Sequence, residues 1–225
     1  MNVLLACEES QAVCIEMRKL GHKAFSCDIV ECSGGHPGWH IQGDVLEVLN
    51  PDEEYGVHFR TLDGVLHWID KWDLIIAFPP CTFMSKAGAR WMFPKGELSK
   101  ERYAKAMAAK KFFMQIFTAD CEHIAIENPR PLKIVELPEP QQVIQPYQFG
   151  HPYSKATCLW LKNLPPLEPT EIVTEYKPYC PSNTGGISRG QSHNSGGAVR
   201  GDDAVNRSKT FEGIARAMAE QWGCE

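Results

Sequence analysis

The chain has no uninterrupted apolar run of the roughly 18 residues that would cross a bilayer, so a membrane-spanning helix is not expected. It begins Met1-Asn2-Val3-Leu4-Leu5-Ala6, without the basic start and long apolar centre of a secretion signal, and a first strand is expected immediately. A basic excess is missing too. The 23 Lys and Arg are outnumbered by 28 Asp and Glu, giving a formal net charge of -5. Proteins that hold nucleic acid mainly through phosphates carry the opposite balance, which counts against tight nonspecific DNA binding by the surface as a whole. A local basic groove around Lys86, Arg90, Lys95 and Lys100 stays open. The nine cysteines are odd in number and irregularly spaced, which argues against a disulfide framework and for a reducing cytoplasm. Cys32, His36 and His40 match no common zinc spacing, and their glycine-rich loop is expected to pack on Trp39 with no metal. No internal repeat is found. The first strand-to-helix turn, Cys7-Glu8-Glu9-Ser10-Gln11, also lacks the glycines of a dinucleotide-binding fingerprint.

What is present is a soluble, globular composition, 43% hydrophobic and 23% charged over 225 residues, enough for one good-sized core. Strands are expected at residues 2–6, 23–29, 43–45 and 74–78, then at 123–126, near 145 and at 157–161. Helices are expected at 12–20, capped by Ser10 and stopped by Gly21, and from Ser99 to about Thr118. In the long helix Ala104, Met107, Ala108, Phe112, Gln115 and Ile116 are expected to face inward. Leu62, Val65, Leu66 and Ile69 follow helical spacing and predict a helix after a polar loop at 50–60. A last helix, capped by Ser208, has Phe211, Ile214, Ala215, Met218 and Trp222 on one face. Residues 163–205 are rich in Pro, Gly, Ser and Asn, with Gly185-Gly186 and Gly196-Gly197 marking loops and Arg189, His193 and Arg200 offering phosphate contacts. The alternation of strands and helices predicts an α/β fold with a mostly parallel sheet.

The stretch Asp73 to Gly88 organises the rest. An apolar run, Leu74 to Phe78, stops at Pro79-Pro80 and delivers Cys81 to a loop, the way a parallel sheet offers a reactive side chain at its carboxyl edge. Thiolate is the most nucleophilic ordinary side chain, and Cys81 is the candidate nucleophile. The strand from His123 ends in Glu127-Asn128-Pro129. A carboxyl at that edge, partly desolvated, has a raised pKa and can hand over a proton. Asp28, at the end of the second strand, can accept from ribose hydroxyls or act as an ordinary loop acid, and Asp44 is a second acid at a strand end. Arg90, Trp91, Phe93 and Lys95 mix aromatic and basic character, suited to covering a base or closing the core.

In order, the marks Leu4 to Gln11, Asp28, Asp44-Val45, Phe78-Pro79-Pro80-Cys81 and Glu127-Asn128-Pro129 resemble the cytosine-C5 DNA methyltransferase family. Ser85 and Gly88 continue the likeness past the cysteine, and Phe149-Gly150-His151-Pro152-Tyr153-Ser154-Lys155 is similar to the segment entering the family's arginine-bearing motif. More narrowly, the chain looks like the short methylase-like proteins of phages and prophages. The likeness covers residues 1–161 and the closing helix.

The resemblance implies a Rossmann-like S-adenosylmethionine-dependent methyltransferase fold. A catalytic core would span 1–162, a loop-rich segment 163–205 would stand in place of a target-recognition domain, and the helix at 206–225 would pack back on the core. It implies Cys81 as the thiolate that adds to cytosine C6, Glu127 as the proton donor to N3 and Lys155 as a group orienting the base. Ala6, Cys7 and Glu8 would meet the methionine part of S-adenosylmethionine, Asp28 and Ile29 its ribose, and Asp44 and Val45 its adenine. Phe78 and Pro80 would complete that site, and Pro79, Ser85, Asn128 and Arg90 would touch the substrate. The expected partner is DNA, single-stranded or weakly specific, with a specificity partner or a second copy supplying what the short loop does not. The chain departs from the family in its glycine-free first turn, in Pro129, and in Lys155 and Thr157 standing where arginines are usual. The same chemistry on RNA or a free cytosine nucleotide, or a non-catalytic cofactor-bound subunit, are the alternative expectations.

Overall fold

The computed structural model describes residues 1–179 and 209–223. Its centre is a seven-stranded sheet in which β1 (Asn2–Ala6), β2 (Lys23–Asp28), β3 (His40–Gln42), β6 (Leu74–Ala77), β7 (His123–Pro129), β8 (Gln142–Ile144) and β10 (Thr157–Lys162) take part. Across the sheet the order is β3-β2-β1-β6-β7-β10-β8. The five strands from β3 to β7 are mutually parallel, and β10 runs antiparallel to both of its neighbours. The fold is therefore α/β with a mostly parallel sheet, compatible with a Rossmann-like architecture. The chain works outward from β1 to β3, then crosses to the other side of β1 at β6. A crevice opens outside the carboxyl ends of β1 and β6, where such sheets bind ligands.

The central strands are continuous apolar runs because both faces are covered. Alternate residues divide between two cores. Val3, Leu5, Leu74 and Ile76 meet α1 (Ala12–Lys19) and α4 (Glu212–Trp222). Leu4, Ala6, Ile75 and Ala77 face α3 (Lys100–Phe117), with Phe113 and Ile116 beneath them. α4 buries Ile214, Ala215, Met218 and Trp222, as its apolar face predicts. Gly213 makes this docking possible, because a Cβ there would lie 1.9 Å from the Phe149 carbonyl oxygen.

Several local expectations are corrected. Residues 62–69 are not a helix. β4 (Val57–Arg60) and β5 (Leu66–Ile69) form an antiparallel hairpin, turned at Gly64 with φ 84°. Val57, Phe59 and Ile69 point inward while His58, Leu66 and Trp68 do not, so a period of two overrides the helical spacing. α3 keeps half of its expected face: Ile116 is buried and Met107 and Phe112 are half-buried against the core, whereas Ala104, Ala108 and Gln115 are exposed and Ala106 and Phe113 are buried instead. Its cap is as expected, with the Arg102 N–H donating to Ser99 Oγ at 3.3 Å. Leu20 is exposed just beyond α1, although Gly21 does end that helix with φ 87°. The third strand is His40–Gln42 rather than 43–45, and Asp44 instead caps a 3₁₀ turn by accepting from the Leu46 N–H at 3.0 Å. β7 runs on through Glu127 to Pro129 rather than ending before it.

The glycine-rich loop packs as expected on Trp39, whose ring stacks on His36 at 3.9 Å. His40 is buried, its two ring nitrogens spent on Ser26 Oγ and the Val30 carbonyl, both at 2.9 Å. Residues 163–179 lie against the core, burying Leu167 and pairing β11 (Lys177–Pro178) with β9 (Tyr153–Ser154). Ser208 and the loop marks at 185–200 lie outside the described residues. Among the described residues no helix is long and apolar enough to cross a membrane.

Candidate active site

Phe78 extends the β6 ladder by one bond, its N–H donating to the Ala6 carbonyl at 2.9 Å. Pro79 and Pro80 have no N–H to continue it, and the chain must leave the sheet. Three ties then fix where it goes. The buried Asn128 amide donates to the Pro79 carbonyl at 2.7 Å, clamping the loop to the end of β7. The Cys81 carbonyl accepts from the N–H groups of Met84 at 3.0 Å and Ser85 at 2.9 Å, closing a tight turn. The Lys86 N–H donates to the Arg130 carbonyl at 3.0 Å, and the Leu132 N–H to the Met84 carbonyl at 2.7 Å. Arg102 of α3 adds a bond to the Thr82 carbonyl at 2.7 Å. Cys81 is thus held by β6, β7 and α3 together.

Cys81 opens on a cavity of about 370 Å³ at the sheet's carboxyl edge. Cys7, Glu8 and Asp28 line it from the β1 and β2 ends, Phe78, Pro79, Pro80 and Cys81 from the β6 end, and Glu127, Asn128 and Lys155 from the far side. These ten expected residues share one space although they come from five separate stretches of chain. Six others do not line it. Ala6 and Val45 are core residues, and Ser85 is buried in the turn behind Cys81. Ile29 is 76% exposed, Asp44 is spent on its 3₁₀ turn, and Arg90 sits on the short α2 (Ala89–Met92) with its guanidinium 4.7 Å over the Trp91 ring. Six lining residues were not expected: Glu9, Ser10, Thr82, Pro129, Lys209 and Thr210. Glu9, Ser10, Thr82 and Pro129 adjoin expected positions. Lys209 and Thr210 are far away in sequence, and only the apolar face of α4 hinted that this segment returns to the core.

The electrostatics single out Cys81 from its neighbour. Burial pushes the Cys7 thiol far above the ordinary range, and Asp28, Cys27 and Asp44 push it the same way, so it stays protonated. Burial raises Cys81 too, with the Glu127 carboxylate adding to it, but a backbone hydrogen bond and the Lys155 ammonium pull it down. Burial likewise raises Glu127, against the pull of Lys155 and a hydrogen bond with Thr157. Cys81 and Glu127 therefore oppose each other's ionisation and share one cation. The arrangement favours a single negative charge between them, with the other group protonated.

Comparison with family models, with curated proteins and with solved structures gave no match. The site's chemistry rests on its own geometry.

The first turn shows why the glycine fingerprint is dispensable here. Cys7 and Gln11 both adopt left-handed backbone with φ 59°, positions where glycine is the usual choice. Gln11 is fully buried and holds the strained turn through its side chain, accepting from the His36 N–H and donating to the His36 carbonyl, each at 3.0 Å. The loop passes so close that a Cβ on Gly34 would lie 2.6 Å from the Ser10 carbonyl oxygen. Ser10 does not cap α1. Glu8 does, accepting from the N–H groups of Val13 at 2.6 Å and Cys14 at 3.2 Å. A pyrophosphate would need those same donors, so this turn is closed to the phosphates of a dinucleotide. Asp28 remains at the end of β2, placed to accept from a ribose.

Proposed function

We propose that the protein methylates cytosine at C5 in DNA, using S-adenosylmethionine and a covalent adduct between Cys81 and cytosine C6. The observation that carries this reading is the meeting of Cys81, Glu127 and Lys155 in one cavity with the β1 turn and Asp28. Asp28 and the first turn, expected at the nucleoside, line the same cavity as Cys81 and Glu127, expected at the base. The resemblance noted in the sequence gives the assignment its substrate, and the Glu8 cap removes the competing dinucleotide chemistry.

Cytosine C5 is too weak a nucleophile to take a methyl group unaided. Attack of the Cys81 sulfur on C6 breaks the C5–C6 double bond and sends its electrons toward N3. Glu127 gives its proton to N3 as that charge arrives, which leaves C5 electron-rich. S-adenosylmethionine supplies an electrophilic methyl group when bound, with Asp28 holding its ribose and the first turn its amino-acid end. Solvent water then takes the C5 proton, the electrons of the C5–H bond restore the C5–C6 double bond, the Cys81–C6 bond breaks to release the thiolate, and the N3 proton goes back to Glu127. The reactive state needs thiolate and carboxylic acid together; burial raises both groups, which favours the acid form of Glu127 and leaves the Lys155 ammonium as the charge that offsets the cost of ionising Cys81. Lys155 stabilises the thiolate without requiring Glu127 to ionise.

One observation favours single-stranded over duplex substrate. The segment leaving the Cys81 turn exposes Trp91 at 57% and Phe93 at 38%, with the Arg90 guanidinium over the Trp91 ring. Aromatic faces beside cations bind unstacked bases without a recognition domain. A base in a single strand also avoids the few kcal/mol that flipping out of a duplex costs.

The test is mass spectrometry of nucleosides from cells expressing wild type or Cys81→Ala, with DNA, RNA and the nucleotide pool separated. The expected result is 5-methyldeoxycytidine in DNA from wild type alone. Product that persists with Cys81→Ala would remove the covalent mechanism, and product confined to RNA or free nucleotides would move the substrate. Glu127→Gln should retain cofactor binding and slow turnover by roughly 10²–10⁴.

A further inference from the structure

A lysine is hard to keep at one point. Its four-carbon stem is flexible and its ammonium strongly hydrated, so the charge wanders unless something holds it. A carboxylate partner would hold Lys155 but cancel the charge that Cys81 needs, and in the reactive state Glu127 carries a proton. An aromatic face attracts a cation and leaves its charge intact. Two such faces lie within reach. The Lys155 Nζ is 5.9 Å from the centre of the Tyr179 ring and 5.8 Å from that of Phe211. The two rings meet edge to face at 4.9 Å, and Tyr153 closes against Tyr179 at 5.2 Å.

Both rings are fastened to the short stretch that carries Lys155. Tyr179 follows β11, which pairs with Tyr153 and Ser154 of β9, and its N–H donates to the Ser154 carbonyl at 3.0 Å. Phe211 stands at the start of α4, where the Gly213 N–H donates to His151 Nε2 at 2.9 Å and the His151 ring lies 5.0 Å from the Phe211 ring. Burial holds His151 below its ordinary pKa, which keeps that nitrogen an acceptor. Residues 151–155 therefore gather one ring from the strap at 163–179 and another from α4. Phe211, Lys155 and Glu127 line one small recess, and Lys155 and Glu127 also line the cavity of Cys81. The other cation of that cavity, Lys209, is tied to Ser33 Oγ at 3.1 Å, and the acids Glu8, Glu9 and Asp28 enter from the β1 and β2 ends.

From this arrangement we infer that Tyr179 and Phe211 are positioning residues, an aromatic cradle that holds the Lys155 ammonium at the cavity lined by Cys81 and Glu127. Its role in the reaction rests on the methyltransferase reading, whereas the placement of the charge does not. Neither ring lines the Cys81 cavity, so each acts only through Lys155. Two segments remote from Cys81 in sequence thereby set how readily the nucleophile ionises.

The experiment is iodoacetamide alkylation of the Cys81 peptide across a pH series, in the full chain without cofactor or nucleic acid. Tyr179→Leu and Phe211→Leu should each move the profile to higher pH by about half a unit, in the direction of Lys155→Met and by less than that variant does. Tyr179→Phe keeps the ring and should match wild type. In a Lys155→Met background neither leucine variant should move the profile further. Unmoved profiles for the leucine variants, a Tyr179→Phe shift as large as that of Tyr179→Leu, or shifts that persist without Lys155 would overturn the cradle. Circular dichroism reports folding, and Tyr179, which lies outside both cores, carries the test alone if Phe211→Leu loosens α4. The methyltransferase reading fails separately: methylated cytosine absent from every pool would remove it, while the alkylation shifts would still establish the cradle.

Discussion

Cys7 and Cys81 face the same cavity, and what separates them is the sign of the charge nearby. Acids surround Cys7, while Cys81 has one acid and one ammonium. Removing each charge should move the Cys81 thiol in opposite directions. Lys155→Met raises its pKa further, so alkylation by iodoacetamide, followed at the Cys81 peptide, should shift to higher pH. Glu127→Gln removes a negative charge and should shift the same profile to lower pH. Identical profiles for all three proteins would show that Cys81 is not coupled to this pair and would undercut the shared-charge mechanism. Cys81 and Glu127 were both legible in the sequence, because each follows an apolar run and has a proline close beside it, before Cys81 and after Glu127. Lys155 was named only through the resemblance, since a lysine in a loop gives no signal of its own. Ser85, Val45, Ala6, Ile29, Asp44 and Arg90 were drawn in by adjacency to a motif, but adjacency does not decide which way a side chain turns.

At the scale of elements, helix α1 is organised by an acid from outside it. Glu8 is almost wholly buried and caps the helix with both carboxylate oxygens. Burial nevertheless wins over those two N–H groups and pushes its pKa up to about 8. The folded protein therefore keeps a proton on Glu8 that the unfolded chain releases near its ordinary value of 4.5. The stabilisation is fully present below that ordinary value and is lost as pH rises toward 8. Denaturant unfolding at a series of pH values should show wild type losing stability across this window relative to Glu8→Gln, with a difference in slope approaching 1.4 kcal/mol per pH unit at most, about one proton's worth. Parallel curves would mean that the two N–H groups hold Glu8 ionised. Most elements could be read from the sequence, since buried parallel strands appear as apolar runs and α4 has one clean apolar face. The β4–β5 hairpin could not, because Leu62, Val65, Leu66 and Ile69 fit a helix by coincidence while the Asp63-Gly64 turn carries the decisive information. α3 was placed in sequence with Met107, Phe112 and Ile116 on the right face, but its many alanines make several faces look equally apolar, and Ala104 and Ala108 were misplaced.

Across the whole molecule, the net charge of -5 and the exposed Arg90-Trp91-Phe93 surface pull toward different partners. An acidic protein repels the dense charge of a duplex, whereas stacking on an indole gains energy without a strong field. Lys86 and Arg130 flank the Cys81 turn, tied to each other through the backbone, and add cations only near the site. Binding should therefore be carried by stacking more than by phosphate contacts. Fluorescence anisotropy with a labelled cytosine-containing oligonucleotide should give tighter binding single-stranded than annealed. Trp91→Ala should weaken the single-stranded complex by about 1–3 kcal/mol, the range for one stacked base, and leave the weak duplex binding nearly unchanged. The salt dependence should be shallow, with a log–log slope of about -0.7 for each phosphate neutralised and few phosphates engaged. A steep slope, tighter duplex binding and indifference to Trp91→Ala would together assign recognition to a basic surface instead. The exposed aromatic segment would then serve to cover the core.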